Sequence, residues 1–546
     1  MKKIIIITFL SLISLNVYSQ KYEFTHDDTL RGSITTERAW WDLTFYHLDI
    51  KVNPSDSTIS GQVQIKYKVL KPYQILQIDL QRPLKITSIV QDGQDLDFKR
   101  VGNVFFVTLK KQQEISNSES VIVRYEGKPR SAKRAPWDGG FSWKKDKSGQ
   151  NFIATSCQGL GSSVFWPCKD HMYDEPDSMA IDITVPKPLI DVSNGRLRKV
   201  VDNQDNTRTF CWFVKNPINN YGVNINIADY ISWAENYDGE KGKLDLSYYV
   251  LPENLEKAKI QFQQVKLMLK AFEHWFGPYP FYEDGYKLVE VPYLGMEHQS
   301  SVTYGNEFQN GYRGRDLSDT GWGLKWDFII VHESGHEWFA NNITYKDMAD
   351  MWIHESFTNY SESLFTEYYY GKKAGSEYVI GCRKLIRNDS PIIGTYNVNR
   401  SGSGDMYYKG GNMLHTIRQV VNDDEKWRQI LRGLNKTFYH QTVTTKQIEN
   451  YISSQAGIDL SKVFDQYLRN VSIPRLEYKT IKNKFQYRWT NCIEGFDMPI
   501  KLSFNNNSYE FVYPTTSWKT LNKKGLQEVK IDEGFYIEQK INDKFH

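Results

Sequence analysis

Apolar and polar residues alternate along much of the chain from about Lys21 to Tyr249. The runs 58–67 and 179–185 carry an apolar side chain at almost every second position. Since successive side chains of a strand point to opposite faces of a sheet, this period indicates strands with one buried face. Turn-forming residues separate the runs. We therefore predict a mostly antiparallel β domain over residues 20–251.

A period of three to four residues replaces this alternation after Pro252. The apolar residues at that spacing are Leu255, Ala258, Phe262, Val265, Leu269, Phe272 and Phe276. They predict one face of a single long amphipathic helix, which Gly277-Pro278 ends. Further on, Thr444 with Gln447 is typical of a capping box that opens a helix. The sequence thus predicts a mostly helical domain over residues 252–472.

Alternating runs return after Ile473-Pro474, at 501–504 and 509–513. They predict a small C-terminal β-sandwich over residues 473–546. The three segments together indicate an α+β multidomain fold. Aromatic residues make up 14% of the 546 positions and charged residues 24%, as in ordered proteins. The formal net charge of +3 gives no electrostatic ground for a nucleic acid partner.

The N-terminus has the three parts of a secretory signal peptide. Residues 1–3 (M-K-K) precede the apolar run 4–17 and then Tyr18-Ser19-Gln20. We predict a signal peptide over residues 1–19, cleaved after Ser19. An uncleaved anchor is the alternative, although the run is short for a membrane span. Because no cysteine follows the run, we expect a periplasmic or secreted protein without a lipid anchor or a membrane attachment after cleavage.

Five cysteines, at positions 157, 168, 211, 382 and 492, cannot all pair with one another. Cys157 and Cys168 are the only two close in sequence, and export permits disulfides. A disulfide between them and free buried thiols are both open, and we favour free thiols.

Residues 332–336 read H-E-S-G-H, which is the H-E-x-x-H signature of a zinc site. On a helix, residues i and i+4 lie above one another, so the imidazoles of His332 and His336 would point at one spot. Catalytic zinc takes three protein ligands and a water. Glu333 lies close enough to that water to act as a general base. Solvated polar residues on a helix are the alternative.

The third ligand has to come from another segment. Glu355 follows 19 residues after His336, roughly 28 Å away on a continuous helix. It can join the metal only if the chain turns back near residues 341–347 and a second helix begins near Met351. Glu362 lies seven residues later on the same face. Its carboxylate could orient a ligand imidazole or lie at the surface, and both remain open.

Three further motifs accompany the zinc signature. They are L-G-M-E-H at 294–298, W-I-H-E-S-F at 352–357 and Y-Y-K-G at 407–410. In this order, the four motifs resemble those of the aminopeptidase N family of gluzincin zinc metallopeptidases, which includes a leukotriene hydrolase branch. The resemblance implies a thermolysin-like, mostly helical catalytic domain behind the β domain and one zinc ion. The family's large helical C-terminal domain would be absent.

The resemblance also implies roles for five residues outside the metal set. Glu297 and Gln158 would bind the free α-ammonium of a peptide. Gly295 and Met296 would offer main-chain groups to the substrate, as an added strand does. Tyr407 would donate its phenol to the oxyanion. A solvated carboxylate, a turn glutamine and a buried structural tyrosine are the respective alternatives for Glu297, Gln158 and Tyr407.

The sequence departs from the family at two motif positions. His298 stands where the family has asparagine, and Tyr408 stands where it usually has glutamate. We assign neither residue a chemical role, and His298 is not expected to be a metal ligand.

The motifs together predict a zinc-dependent aminopeptidase that removes N-terminal residues from peptides by zinc-activated water. His332, His336 and Glu355 would hold the metal, and Glu333 and Tyr407 would be catalytic. A zinc endopeptidase or an epoxide hydrolase on the same frame is the first alternative. A peptide-binding relative without turnover is the second. The sequence does not predict the preferred N-terminal side chain.

Overall fold

The computed structural model describes residues 23–481 and 483–542. The predicted signal peptide, residues 1–19, lies outside the described residues. None of the described helices is both long and apolar enough to cross a bilayer. All five cysteines are free thiols, and Cys157 and Cys168 are both buried, as favoured from the sequence.

The first part of the chain consists mainly of strands. Two short helices, α1 (His26–Gly32) and α2 (Thr36–Ala39), precede them. The strands are β1 (Trp41–Asn53), β2 (Thr58–Val69), β3 (Tyr73–Asp79), β4 (Lys85–Gln91), β5 (Gln94–Asp95), β6 (Asp97–Val101), β7 (Val104–Gln113), β8 (Ser116–Gly127), β9 (Gly140–Lys145), β10 (Asn151–Ser156), β11 (Ser178–Pro186), β12 (Ile190–Val192), β13 (Arg196–Asp202), β14 (Thr207–Val214) and β15 (Asn226–Ala228).

These strands form three sheets, with orders β13-β14-β11-β1-β2-β8-β4-β5, β3-β7-β6 and β12-β15-β10-β9. The strands β2 and β11 contain the two alternating runs that predicted this region, and their apolar residues are buried. Most pairings are antiparallel, as predicted, while β1 runs parallel to β11.

A mixed sheet follows, built from β16 (Ile231–Gly239), β17 (Gly242–Val250), β18 (Tyr286–Glu290), β19 (Gly295–Met296) and β20 (Val302–Tyr304). Its order is β16-β17-β18-β20-β19, so β19 is an edge strand. The sheet joins segments on both sides of the predicted boundary between residues 251 and 252. A parallel pair, β21 (Ile343–Tyr345) with β22 (Gln441–Val443), lies further along the chain.

Helices dominate the chain between residues 255 and 468, as predicted. They are α3 (Leu255–Gln261), α4 (Gln264–Phe276), α5 (Phe328–Gly335), α6 (Trp352–Tyr370), α7 (Lys372–Gly381), α8 (Tyr408–Val421), α9 (Asp424–Thr437), α10 (Thr445–Ala456) and α11 (Ser461–Leu468). Thr444 and Gln447 form the predicted capping box at the start of α10.

The first long helix predicted from the sequence is two helices, α3 and α4, separated by a turn at Phe262–Gln263. There the N–H of Val265 donates to the carbonyl of Phe262 (3.0 Å), a tighter bond than in an α-helix. Residues three apart eclipse in such a turn. The side chains of Gln261 and Gln264 accordingly both donate to Asn310 Oδ1, at 3.1 and 2.9 Å. These long-range bonds are not encoded in local spacing.

Two sheets make up the end of the chain. One has the order β27-β24-β23-β29 and the other β26-β25-β28. Their strands are β23 (Arg475–Ile481), β24 (Lys484–Thr490), β25 (Ile500–Phe504), β26 (Glu510–Val512), β27 (Lys519–Asn522), β28 (Val529–Ile531) and β29 (Glu538–Ile541). The sheets touch where the rings of Phe485 and Phe504 meet edge-on, 5.1 Å apart. The predicted small sandwich is confirmed to this extent.

The N-terminal sheets pack against the mixed sheet and so approach the helical region. Val289, Val291, Tyr293 and Met296 belong to the same buried cluster as the apolar residues of β1, β2 and β11. The hydroxyl of Tyr293 donates to the carbonyl of Thr155 in β10 (2.7 Å). This bond fixes the end of β10, and the residues after it, beside the 294–297 segment.

Candidate active site

The zinc signature lies on α5, a short helix inside the protein. Asp327 caps it by accepting from the N–H groups of Ile329 and Ile330 (3.0 and 3.3 Å), which satisfies donors that a helix start leaves free. The apolar run 328–331 is buried. His336 follows the last residue of α5 but keeps helical φ and ψ (−65° and −17°). Both imidazoles therefore face the same side.

The chain then turns back, as predicted. Phe339 and Ala340 have non-helical φ and ψ, β21 follows, and α6 begins at Trp352. Glu355, in the first turn of α6, lies with one carboxylate oxygen, Oε2, 3.5 Å from His336 Nε2 and 4.0 Å from His332 Nε2. The structure thus brings the three predicted ligands together.

The outer nitrogen of each imidazole has its own partner. His332 Nδ1 lies 2.7 Å from Glu362 Oε1, and His336 Nδ1 lies 3.1 Å from the carbonyl of Phe339. Thr358 Oγ1 lies 3.1 Å from the same Nδ1. A carbonyl can only accept, so the contact with Phe339 is a hydrogen bond in the tautomer with the proton on Nδ1, which leaves Nε2 free to bind a metal. Glu362 is fully buried and accepts from Tyr378 Oη. Of the two roles open for Glu362, the geometry matches the one that orients an imidazole.

The three ligand atoms suit a divalent metal. Glu355 Oε2 is buried and has no hydrogen-bond partner in the described structure, although it faces two imidazole nitrogens. Its other oxygen accepts from Gln158 Nε2 (2.8 Å). An unpartnered buried carboxylate oxygen is costly unless a cation meets it. Two imidazoles with one carboxylate are a donor set that zinc commonly takes in enzymes. A second set, Glu297, Glu333 and His336, also lies within binding distance of one point.

The cavity beside these ligands is strongly acidic. It has a volume of about 340 Å³, and its described lining includes four glutamates and neither lysine nor arginine. Burial, followed by the charges of Glu297, Glu355 and Glu362, raises the pKa of Glu333 well above its usual value. Burial lowers the pKa of His332 to about 4, which keeps that imidazole neutral and able to bind a metal. Such a cavity favours positively charged ligands.

Gln158 and Glu297 lie next to the metal set, as the motif resemblance implied. Gln158 follows β10, and its Nε2 donates to Glu297 Oε1 (2.6 Å) as well as to Glu355. One amide group therefore links the third metal ligand to Glu297. The Glu297 residue is 3% exposed, which excludes the alternative of a solvated carboxylate.

Gly295 and Met296 form the edge strand β19, which pairs with β20 on one side and lines the cavity. A Cβ atom added at Gly295 would lie 2.6 Å from Ile329 Cγ2 and 3.3 Å from Glu333 Cγ. Glycine at this position lets the strand pass directly over α5. The strand β19 therefore passes next to Glu333.

Tyr407 lies just before α8, and its ring stacks at 6.1 Å on the imidazole of His332. Burial and the charges of Glu355 and Glu297 raise its pKa well above the usual value. Its phenol therefore keeps its proton and can donate a hydrogen bond. His298, by contrast, is fully buried with Nε2 unpartnered in the described structure. Burial lowers its pKa to about 3, and it does not line the cavity.

Several cavity residues carry no signal in the sequence motifs. They are Pro136, Trp137, Tyr312, Phe328, Ile329 and Asn359. Leu294 and Tyr408 also line the cavity and lie in the quoted motifs, but the sequence assigned them no role. Phe328 could have been found, because it precedes His332 by four residues on one helix face. Trp137 and Tyr312 lie in loops far away in sequence, where spacing gives no information.

Two family models match the chain. The peptidase M1 N-terminal domain matches residues 43–221, and the peptidase family M1 domain matches residues 260–467. These regions contain the β-rich part and the helical part of the fold, including every residue of the metal set.

Curated relatives are similar at low identity. The chain is 19% identical over 485 residues to "Probable aminopeptidase 1" of Saccharolobus solfataricus, covering 83% of this chain and 58% of that protein. It is 21% identical over 441 residues to leukotriene A-4 hydrolase of Xenopus laevis, covering 76% of this chain and 68% of the relative. The chain thus spans less than two thirds of the length of the first of these relatives.

A solved structure of an M1 zinc metallopeptidase mutant from Deinococcus radiodurans has the same fold. The TM-score is 0.66 at 20% identity, covering 80% of this chain and 96% of that one. Another structure of a mutant of that metallopeptidase contains a bound Tyr-Ser-Ala substrate, with the same TM-score. This likeness shows a multidomain α+β fold with an N-terminal β-rich domain and a helical catalytic domain.

Proposed function

Because this chain belongs to peptidase family M1, we propose that it is a zinc-dependent aminopeptidase, which hydrolyses the N-terminal residue from peptides. One observation carries this proposal. The buried carboxylate of Glu297 lies beside the metal set, bound to the same amide group as Glu355, in a cavity whose described lining supplies no cationic side chain.

The free α-ammonium of a peptide would supply the cation that the Glu297 carboxylate lacks in the described cavity lining. A buried carboxylate without a cation is unfavourable, and a charge-assisted hydrogen bond to an ammonium relieves that cost. An internal peptide amide carries no charge and cannot do the same. Gln158 holds Glu297 in position, so the first peptide bond of a bound substrate would lie over the metal ligands.

His332, His336 and Glu355 would hold one zinc ion. When bound there, zinc would supply a Lewis acid for the substrate carbonyl and for water. Glu362 and the carbonyl of Phe339 fix the two imidazoles through their Nδ1 atoms. The free edge of β19 would pair with the substrate main chain, as an added strand does.

Glu333 and Tyr407 carry out the remaining steps of peptide-bond hydrolysis. Glu333 takes a proton from the attacking water and passes it to the nitrogen of the leaving peptide, so that the C–N bond breaks to give an amine and a carboxylate. Tyr407 donates its phenolic proton in a hydrogen bond to the carbonyl oxygen as negative charge develops there. The raised pKa of Tyr407 keeps it a donor during the reaction.

The same proposal covers properties that go with this activity. We place the protein in the periplasm or outside the cell, because the N-terminus has the composition of a signal peptide.

The C-terminal sheets would form a small sandwich that packs on α8, since the N–H of Tyr536 donates to Thr416 Oγ1 (2.9 Å).

Paired peptides of one sequence, free and N-acetylated, test the amine requirement. The free peptide should be cleaved at its first bond and the acetylated one at least 100-fold more slowly. Glu297→Gln should lower kcat/KM for the free peptide about 30-fold or more, the effect of losing one partner of a buried charge pair. Glu256→Gln, which changes a carboxylate that is 83% exposed, is the matched control.

Equal cleavage of both peptides would contradict the proposal and favour the endopeptidase alternative. Conversion of an epoxide substrate, with both peptides left intact, would favour the epoxide hydrolase. Tight binding of free peptides without turnover, in protein that holds zinc by elemental analysis, would instead favour a non-catalytic relative.

A further inference from the structure

One aromatic side chain at the cavity is exposed in a way that folding alone does not explain. Trp137 is 62% exposed and is the only tryptophan among the exposed large apolar side chains of the described residues. It also lines the catalytic cavity. Exposed tryptophans at the rim of a cleft commonly contact a ligand, since a large rigid ring gains much on leaving water.

The loop that carries Trp137 is held in one conformation by hydrogen bonds. The carboxylate of Asp138 accepts from the N–H groups of Lys133 and Arg134 (2.7 and 2.8 Å). The N–H of Trp137 itself donates to the carbonyl of Arg134 (3.0 Å). Arg130 donates to the carbonyls of Asp138 and Gly139. Trp137 therefore lies at the cavity on a loop whose backbone is held by hydrogen bonds.

Aromatic side chains of the catalytic region line the same cavity as Trp137. The ring of Phe328 stacks on the imidazole of His332, with centroids 5.0 Å apart. Tyr312 meets Phe328 edge-on at 5.2 Å. This wall therefore extends from the His332 side of the metal set. Gln158, which binds Glu297, lies on the Glu355 side instead.

The cavity thus combines aromatic rings with the carboxylates of the site. The loop of Trp137 leads into β9, whose Gly140 pairs with Ser156, two residues before Gln158, so Trp137 lines the cavity from the side of the Glu297 pocket. We propose that Trp137 is an aromatic subsite of this cavity and selects peptides with an aromatic or large aliphatic side chain beside the scissile bond. The inference rests on the proposed aminopeptidase function and names the substrate class of the same site.

Two series of free tripeptides test the subsite, X-Ala-Ala and Ala-X-Ala, with X as Ala, Leu, Phe or Trp. The wild-type protein should favour Phe or Trp over Ala at least tenfold in kcat/KM in one series, which identifies the position that the subsite reads. Trp137→Ala should reduce that preference about tenfold, mainly through KM, and Trp137→Phe should restore most of it. Tyr513→Ala, which removes an aromatic ring that is 59% exposed on the C-terminal sheets, is the control.

The outcomes separate this inference from the function on which it rests. Cleavage of all tripeptides with no preference for large X, or a preference unchanged in Trp137→Ala, overturns the subsite and leaves the aminopeptidase intact. An equal loss on every tripeptide also overturns it, because Trp137 would then act only through the fold, as a lowered Tm would show. Failure of the wild-type protein to cleave any free tripeptide contradicts the proposed function itself.

Discussion

The two halves of the cavity are built in different ways. The metal half comes from two adjacent helices and consists of His332, His336, Glu355 and Glu362. The peptide half is gathered from separate loops and strands and consists of Trp137, Gln158, Glu297 and Tyr312. In the metal half, each imidazole already has a partner at Nδ1. In the peptide half, a buried carboxylate meets no lysine or arginine in the described cavity lining, and an indole is exposed to solvent.

The metal half would hold a permanently bound ion, whereas the peptide half would bind a substrate only during turnover. The metal half needs only an ion to be complete. The peptide half presents one charge and one apolar face that a substrate would cover. Variants that alter one half while leaving the other intact can therefore test whether the two halves act separately.

Glu333→Gln should have the largest effect, because it removes the proposed base and leaves both halves in place. We expect kcat to fall by about 10³-fold or more, while elemental analysis still finds zinc in the purified protein. The variant should also bind free peptides with nearly normal affinity in a calorimetric titration. Activity within tenfold of wild type would show that another group takes the proton.

Tyr407→Phe should have the second largest effect on catalysis. We expect kcat to fall about 100-fold with little change in KM. The ring stays against His332, and only the hydrogen bond to the developing oxyanion is lost. Steady-state kinetics on a free tripeptide measures the split between kcat and KM. Tyr513→Phe, far along the chain on the C-terminal sheets, is the control. A change confined to KM would assign Tyr407 to ground-state binding.

Glu362→Gln should weaken the metal half alone. Removing a carboxylate that orients a ligand imidazole typically costs about 10- to 100-fold in metal affinity, which competition with a chelator can measure. At saturating zinc, KM for free peptides should stay within threefold of wild type. Unaltered zinc affinity would mean that Glu362 is a buried structural carboxylate without influence on the metal.

Gln158→Leu addresses the contact between the halves and should have the smallest effect. Its amide donates to Glu297 and to Glu355, and hydrogen bonds to charged groups contribute about 1.5–3 kcal/mol each. We expect KM for free peptides to rise about tenfold, and zinc affinity to fall less than that. Combined with Glu362→Gln, the effects on zinc affinity should add. If the two substitutions together change the free energy of zinc binding by far more or far less than the sum of their separate effects, the two halves act as one unit.

The sequence predicted that His332, His336 and Glu355 come together, because helical spacing determines most of this arrangement. The i and i+4 spacing places both histidines on one side of α5, and weak helix formers before Met351 indicate the turn that returns Glu355. The peptide half depends on how distant segments meet. Gln158 and Glu297 were found only through motifs of a known family, and no local pattern marks Trp137.

The same distinction applies to the fold. Alternation predicted β2 and β11, but not the parallel pairing of β11 with β1, which depends on long-range packing. The turn that divides α3 from α4 was missed for a similar reason. The helical period continues through it, while the bonds from Gln261 and Gln264 to Asn310 that accompany it come from another part of the chain.

The break in the backbone at Phe339 and Ala340 makes the two zinc imidazoles electronically unequal. In a regular helix, the carbonyl of Phe339 would be used by an amide one turn later, whereas here it accepts from His336. His332 Nδ1 meets the carboxyl group of Glu362, whose pKa burial raises to about 8, whereas His336 Nδ1 meets a neutral carbonyl. The two imidazoles therefore have different electronic surroundings. Nitrogen-15 chemical shifts of the two rings should record this inequality directly.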